Sequence, residues 1–213
     1  MSLFIKICGF TNAEEATKAA ELGVDAIGLV LTESRRQVTV EEARRISRAV
    51  PAGVLKVGVF ADAPLEELLA AAGRAGLEVV QLHGAEEPAY VASCIKTGFR
   101  VIKSLVTRDR SLIHDMERYL DCGPGLLAFL VDSYIPGRKI QGGSGITCRW
   151  DLAMEAARKY PVILAGGLHP GNIEEALKRV EPWGVDVSGG VEAAPGRKDP
   201  AKMAAFIQAA RRR

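Results

Sequence analysis

LFIKICGFTNAEEATKAAEL, residues 3–22, holds a complete strand–turn–helix signal. Side chains alternate faces along a strand, so Phe4, Lys6 and Cys8 share one side and Ile5 and Ile7 the other. The second side is wholly apolar and suited to packing under helices. The first turns polar toward its C-terminal end. Thr11-Asn12-Ala13-Glu14 then supplies a capping-box pattern ahead of Ala16, Ala19, Ala20 and Leu22, with Gly23 where a left-handed cap is wanted.

The same pattern recurs along the chain. Apolar runs at Leu3–Cys8, Asp25–Leu31, Leu55–Phe60, Glu78–His83, Arg100–Leu105, Leu126–Asp132, Val162–Ala165 and Val185–Ser188 alternate with amphipathic segments at the spacing of βα units. Thr39-Val40-Glu41-Glu42 repeats the helix-start signal. Ala63-Pro64 puts proline at a plausible first helical position, and Gly76 and Gly98 follow periodic segments. Along the fourth run Val79, Gln81 and His83 oppose Val80 and Leu82; along the sixth Leu126, Ala128, Leu130 and Asp132 oppose Leu127, Phe129 and Val131. No Pro- or Ser-rich linker interrupts the series. These features predict an α/β fold in which residues 1–213 form a single (β/α)8 barrel, whose active site lies at the C-terminal strand ends. An open doubly wound sheet is the rival, because local pattern cannot show closure.

Composition excludes several classes. Of the 213 residues 48% are hydrophobic and 25% charged, which is ordinary for a soluble globular protein and rules out disorder. The net charge of +2 offers no nucleic-acid footprint. Arg211-Arg212-Arg213 reads as a solvated tail or a favourable charge at a helix C-terminus. No apolar run approaches the roughly 18 residues of a membrane span. The N-terminus lacks signal-peptide character, so a cytoplasmic location is expected. Cys8, Cys94, Cys122 and Cys148 show neither CxxC spacing nor a neighbouring histidine, which argues against a metal site and a disulfide framework.

Three glycine-rich turns crowd the last third of the chain: Gln141–Gly145, Gly166-Gly167 and Ser188-Gly189-Gly190. Such turns let backbone N–H groups approach a phosphate, and barrels frequently place a phosphate site after strands seven and eight. None is a Walker loop or fits GxGxxG, so no nucleotide cofactor is expected. Cys8 and Asp132 end strands on the expected interior face. A thiolate can abstract a proton and a buried carboxylic acid can donate one; equally, a lone cysteine can be a small core residue and an aspartate a helix cap. His83 reads either as a site residue or as a histidine satisfied by backbone. Lys6 and Lys103 are expected to face inward, as Schiff-base amines or counter-ions. Arg36, after the second strand, could clamp a carboxylate or lie in solvent.

Taken in order, Lys6-Ile7-Cys8-Gly9, Ser34-Arg35-Arg36, Val57–Phe60, Gln81-Leu82-His83-Gly84, Leu130-Val131-Asp132, Gly142–Gly145, Gly166-Gly167-Leu168, Val185–Ser188, Gly190-Val191-Glu192 and Pro195–Asp199 give the chain a specific likeness. Along essentially its whole length it resembles the phosphoribosylanthranilate isomerase family, (β/α)8 enzymes of tryptophan biosynthesis. The resemblance implies a cofactor-free Amadori rearrangement of N-(5′-phosphoribosyl)anthranilate to 1-(2-carboxyphenylamino)-1-deoxyribulose 5-phosphate. It implies Asp132 as the acid on the furanose oxygen, Cys8 as the base at C2′, and Arg36 on the anthranilate carboxylate. Gly166, Gly167, Ser188, Gly189 and Gly190 would hold the phosphate, while His83, Asp186, Gly143 and Gly145 complete the substrate-binding set. The partner is thus a small molecule, not nucleic acid or membrane, and the assembly a monomer or homodimer.

Two features depart from the family pattern. Ser133–Gln141 is longer than usual, and the paired serines before Gly-Val-Glu become Ser188-Gly189, which keeps backbone contacts but removes a second hydroxyl. A thiol of reference pKa about 8.5 would serve better as base if Lys6, on its strand face, lowered it. Related phosphate-binding barrels are the second reading. The histidine-pathway isomerase uses an aspartate where this chain has Cys8, and indole-glycerol-phosphate synthase uses lysine acid chemistry and usually an N-terminal extension, not expected here. A non-catalytic phosphate-ligand binder is the third, and the presence of both Cys8 and Asp132 speaks against it.

Overall fold

The computed structural model describes residues 2–134 and 147–212. All eight apolar runs become parallel strands, each end within one residue of its expected position. They are β1 (Phe4–Cys8), β2 (Ala26–Val30), β3 (Leu55–Phe60), β4 (Val79–Leu82), β5 (Arg100–Val106), β6 (Leu126–Asp132), β7 (Val162–Leu164) and β8 (Gly184–Val187). Helices α1 (Ala13–Glu21), α2 (Val40–Ala49), α3 (Leu65–Ala75), α4 (Pro88–Lys96), α5 (Leu112–Glu117), α6 (Trp150–Ala157) and α7 (Ile173–Val180) cross between them, and α8 (Pro200–Arg211) follows. Strand β1 pairs with β8, Ile5 opposite Val185 and Lys6 opposite Asp186, which closes the barrel and excludes the open sheet. A short antiparallel pair, β9 (Glu192–Ala194) and β10 (Arg197–Lys198), sits between β8 and α8. Among the described residues no helix is long and apolar enough to cross a membrane.

Capping follows the sequence with two shifts of one residue. At α2 the full box forms: the Glu42 amide donates to Thr39 Oγ1 at 3.2 Å and the Thr39 amide to Glu42 Oε2 at 2.8 Å. At α1 Asn12, not Thr11, is the cap and accepts from the Glu15 amide at 2.9 Å. Thr11 is drawn away instead, its hydroxyl donating to the Gly196 carbonyl at 2.7 Å. Pro64 likewise sits one residue before the first turn of α3. Arg211 is not a solvated tail: its guanidinium donates to Asp25 Oδ2 at 2.8 Å and to the Leu3 and Gly23 carbonyls, fastening α8 beneath β1 and β2.

Two apolar layers result from strand alternation. Ile5, Ile7, Ile27, Leu29, Phe129, Val131 and Val185 face the helices. Ala26, Val57, Val79, Ile102, Ala128, Leu130 and Ile163 fill the barrel interior, with Phe4 stacked on Trp183 at 4.8 Å at its N-terminal end. Each buried Ile, Val or Leu contributes roughly 1.5–3 kcal/mol. A bulge in β6 adjusts the expected faces. Val101 pairs with Leu126 but Ile102 pairs with Ala128, so Leu127 is the extra residue and turns inward while Leu126 joins the helix side.

Lys103 corrects a second expectation. With Ile102 inside, it faces the helices, not the barrel axis. It is 1% exposed and its Nζ donates to Glu86 Oε2 at 2.9 Å and the Gly84 carbonyl at 2.7 Å. The Glu86 carboxylate also accepts from the Asp62 amide at 2.9 Å and from that of Gly84. The pair therefore ties the loop after β4 to β5. Removing one member of a buried pair strands the other charge, at a cost of about 3–5 kcal/mol. Lys103→Met is expected to lose stability of that order in urea denaturation; an unchanged midpoint would show that the pair contributes no net stability.

Candidate active site

The interior faces turn polar only at the C-terminal strand ends. Cys8 closes β1 beside Val30 and Val59, the last apolar layer. A Cβ on Gly28, its neighbour on β2, would lie 2.6 Å from Cys8 Sγ, so the glycine there makes room for the thiol. One step below, fully buried Lys6 donates to Asp186 Oδ1 at 2.9 Å across the β1–β8 seam. Burial alone would lower the Lys6 ammonium, but the Asp186 carboxylate and the neighbouring Cys8 outweigh it and raise its pKa. Burial pushes the Cys8 thiol up, against the downward pull of Lys6 and Lys198. Lys6 thus acts on the thiol in the expected direction without lowering it overall, because desolvation is the larger effect.

Asp132 ends β6, 5% exposed, with Oδ1 accepting from the Ser133 amide at 2.7 Å. Its Oδ2 lies 3.8 Å from His83 Nε2 at the end of β4. Gln81, two residues earlier on the same face, brings its Nε2 to 3.0 Å from His83 Nδ1 and so orients the ring. Burial lowers the His83 pKa despite Asp132, which favours the neutral imidazole.

The turns Gly166-Gly167 and Ser188–Gly190 converge on the same rim. Asp132, Gly166, Gly167, Asp186, Ser188, Gly189 and Gly190 line one cavity of about 210 Å3. Gly166 has φ +81°, and a Cβ there would come 2.9 Å from Asp132 Oδ1. A Cβ on Gly190 would lie 1.9 Å from the Leu168 carbonyl oxygen, so only glycine lets the loops after β7 and β8 meet. Ser188 Oγ donates to the Cys8 carbonyl at 2.9 Å, joining the β8 loop to β1. Arg36 reaches over from the loop after β2; a Cβ on Gly9 would meet its Cδ at 2.4 Å. Its guanidinium is held by Glu192, Nε to Oε1 at 2.7 Å and Nη2 to Oε2 at 2.8 Å.

Cys8, Arg36, His83, Asp132, Asp186, Gly166, Gly167, Ser188, Gly189 and Gly190 are therefore gathered at one end of the barrel. Gly143 and Gly145, also expected there, lie outside the described residues. Lys103 is not part of the site. Glu192 and Lys198 touch it without having been singled out by sequence reasoning; their only signal is membership of the two motifs after β8.

Residues 5–209 match the family model described as N-(5′-phosphoribosyl)anthranilate isomerase. A relative of that name from Pelobacter propionicus is 44% identical over 208 residues, covering 97% of this chain and 95% of its own. The crystal structure of phosphoribosyl anthranilate isomerase from Thermus thermophilus superposes with a TM-score of 0.85 at 37% identity, over 97% of this chain and 98% of that one. A further structure of such an isomerase, in complex with reduced 1-(o-carboxyphenylamino)-1-deoxyribulose 5-phosphate, gives 0.82 at 35% identity over 98% of both chains. On this evidence of sequence, fold and site together, the chain belongs to the N-(5′-phosphoribosyl)anthranilate isomerase family.

Proposed function

We propose that Cys8 and Asp132 are the base and acid of an Amadori rearrangement that converts N-(5′-phosphoribosyl)anthranilate to 1-(2-carboxyphenylamino)-1-deoxyribulose 5-phosphate, a step of tryptophan biosynthesis. Asp132, as the carboxylic acid, protonates the furanose oxygen. The C1′–O bond breaks, its electron pair stays on oxygen, and the anthranilate nitrogen lone pair forms the C1′=N bond of a cationic Schiff base. That cation acidifies the C2′ proton. The Cys8 thiolate removes it, and the C2′–H electrons form a C1′=C2′ enolamine while the nitrogen is neutralised. A proton then adds to C1′ as the C2′ hydroxyl becomes the carbonyl and releases its own proton, which gives the ketone.

The observation that carries this reading is placement. The thiol and the carboxyl end two interior-facing strands on different sides of one rim, and the glycine loops line a cavity with Asp132 between them. Backbone N–H groups of Gly166, Gly167 and Ser188–Gly190 suit the ribose phosphate. The Arg36 fork suits the anthranilate carboxylate, since Glu192 takes only its Nε/Nη2 edge. Asp186 and neutral His83 border the sugar, and His83 faces the acid. A raised thiol pKa is tolerable because the Schiff base, not the base strength, makes the proton removable. The reading places a monomer or homodimer in the cytoplasm, acting on a small phosphosugar that carries an aromatic carboxylate.

Purified protein is expected to consume freshly prepared phosphoribosylanthranilate, seen as loss of its fluorescence. Cys8→Ser and Asp132→Asn should each lower kcat by roughly 10² or more, as for positioned acid–base groups, whereas Arg36→Ala should act mainly on KM. Near-parental turnover in both catalytic variants would overturn the assigned roles. The pH dependence has a definite sign. A base whose pKa is pushed upward is mostly protonated at neutral pH, so kcat/KM should rise by about tenfold per pH unit from pH 7. A profile flat from pH 7 to 9 would remove the thiol from that role.

A further inference from the structure

We infer that Glu192 is a positioning residue that presets the Arg36 guanidinium for a substrate carboxylate, with Lys198 as its backing cation; this rests on the carboxylate-binding role given to Arg36 above. Apart from Gly190 at the phosphate, the motifs Gly190-Val191-Glu192 and Pro195–Asp199 have no other part in the proposed chemistry, yet the fold buries the charges of Glu192 and Lys198 against the site.

Arg36 and Glu192 meet edge to edge, with both carboxylate oxygens engaged at 2.7 and 2.8 Å. Such a pair fixes the plane of the guanidinium as well as its distance. It uses the Nε/Nη2 edge, leaving the end-on edge of Nη1 and Nη2 for a second carboxylate. The stem of Arg36 is confined too, because it crosses Gly9 where no side chain fits. Glu192 is fixed from behind. Fully buried Lys198 donates to Oε1 at 2.8 Å, the Gly196 amide reaches the same oxygen at 3.3 Å, and Lys202 Nζ donates to the Glu192 carbonyl at 2.7 Å. Lys198 also donates to the Ser188 carbonyl at 3.2 Å, so the clamp is joined to the β8 loop. Two cations around one carboxylate leave a net positive charge at the Arg36 end, which suits an anionic ligand. Although burial opposes it, Arg36 and Lys198 pull the Glu192 carboxyl down to about 2, so the clamp stays ionised at any working pH.

A residue acting through Arg36 should affect binding of the carboxylate end alone. Glu192→Gln keeps the shape but presents an N–H to one of the two cations. Its KM should rise about tenfold with kcat within about twofold. Anthranilate should weaken as a competitive inhibitor by a similar factor, while inorganic phosphate keeps its inhibition constant. In the double variant with Arg36→Ala, KM should be no worse than in Arg36→Ala alone. Additive effects, or equal weakening of anthranilate and phosphate, would overturn the proposal. If Arg36→Ala leaves KM and anthranilate inhibition unchanged, the carboxylate-binding reading itself fails, and the proposal with it. Should Glu192→Gln not fold, Glu192→Asp, which keeps the charge but withdraws it by one methylene, should show the same split between the two inhibitors, and its absence there would be equally decisive.

Discussion

The ion pair between Lys6 and Asp186 joins the first and last strands at opposed positions, inside a barrel whose lower interior is otherwise apolar. Neither charge could be buried there alone. Their pairing sets the level at which the interior changes from packed hydrocarbon to polar site. Ala26, the β2 partner of Lys6, belongs with Val57, Ile102 and Leu130 to the apolar interior cluster, and two residues further along the faces of the pair lie Cys8 and Ser188. Burial, the largest influence on the thiol, pushes its pKa up; Lys6 pulls it down and Asp186 offsets part of that pull, so burial decides the outcome. The chemistry at Cys8 is thereby matched to a substrate that becomes acidic on its own once its ring opens.

Specific backbone positions let the rim assemble. Glycine at 28 admits a thiol, at 166 a carboxylate oxygen, and at 190 the carbonyl of the preceding loop. Each exchanges a side chain for a close approach, and polar contacts such as Ser188 to the Cys8 carbonyl and Lys198 to the Ser188 carbonyl tie the β8 loop down. Charges that hold the rim are paired by groups from distant strands, which makes the site a rigid frame rather than a set of separate loops.

The architecture was legible because both faces of every strand carry information. Ile5 and Ile7 alternate with Phe4, Lys6 and Cys8, and the structure puts them on the sides that alternation requires. Chain order and spacing located the remaining strands, and the motifs pointed to Cys8, Asp132, Arg36 and the glycines at 166, 167, 189 and 190 that gather at the rim. Less legible was anything set by a partner far away in sequence. Thr11 looks like a cap until Gly196 takes its hydroxyl. Lys103 resembles Lys6 as a lone charge in an apolar run, and only Glu86 beside it reveals that it serves the helix side. Leu126 and Leu127 exchange roles through a bulge that no local pattern announces. Glu192 and Lys198 carry no signal beyond their motifs, because nothing nearby in the chain says that Arg36 will meet Glu192.

The β1–β8 seam links residues about 180 positions apart, so it cannot form until nearly the whole polypeptide is available. Until then β1 has β2 on one side and an unpaired edge on the other, a surface open to unwanted strand pairing. Trp183 enters its stack with Phe4 only as that edge is covered. With Trp150 replaced, the emission of this indole would report closure of the seam, read at the end of the molecule opposite the reacting groups.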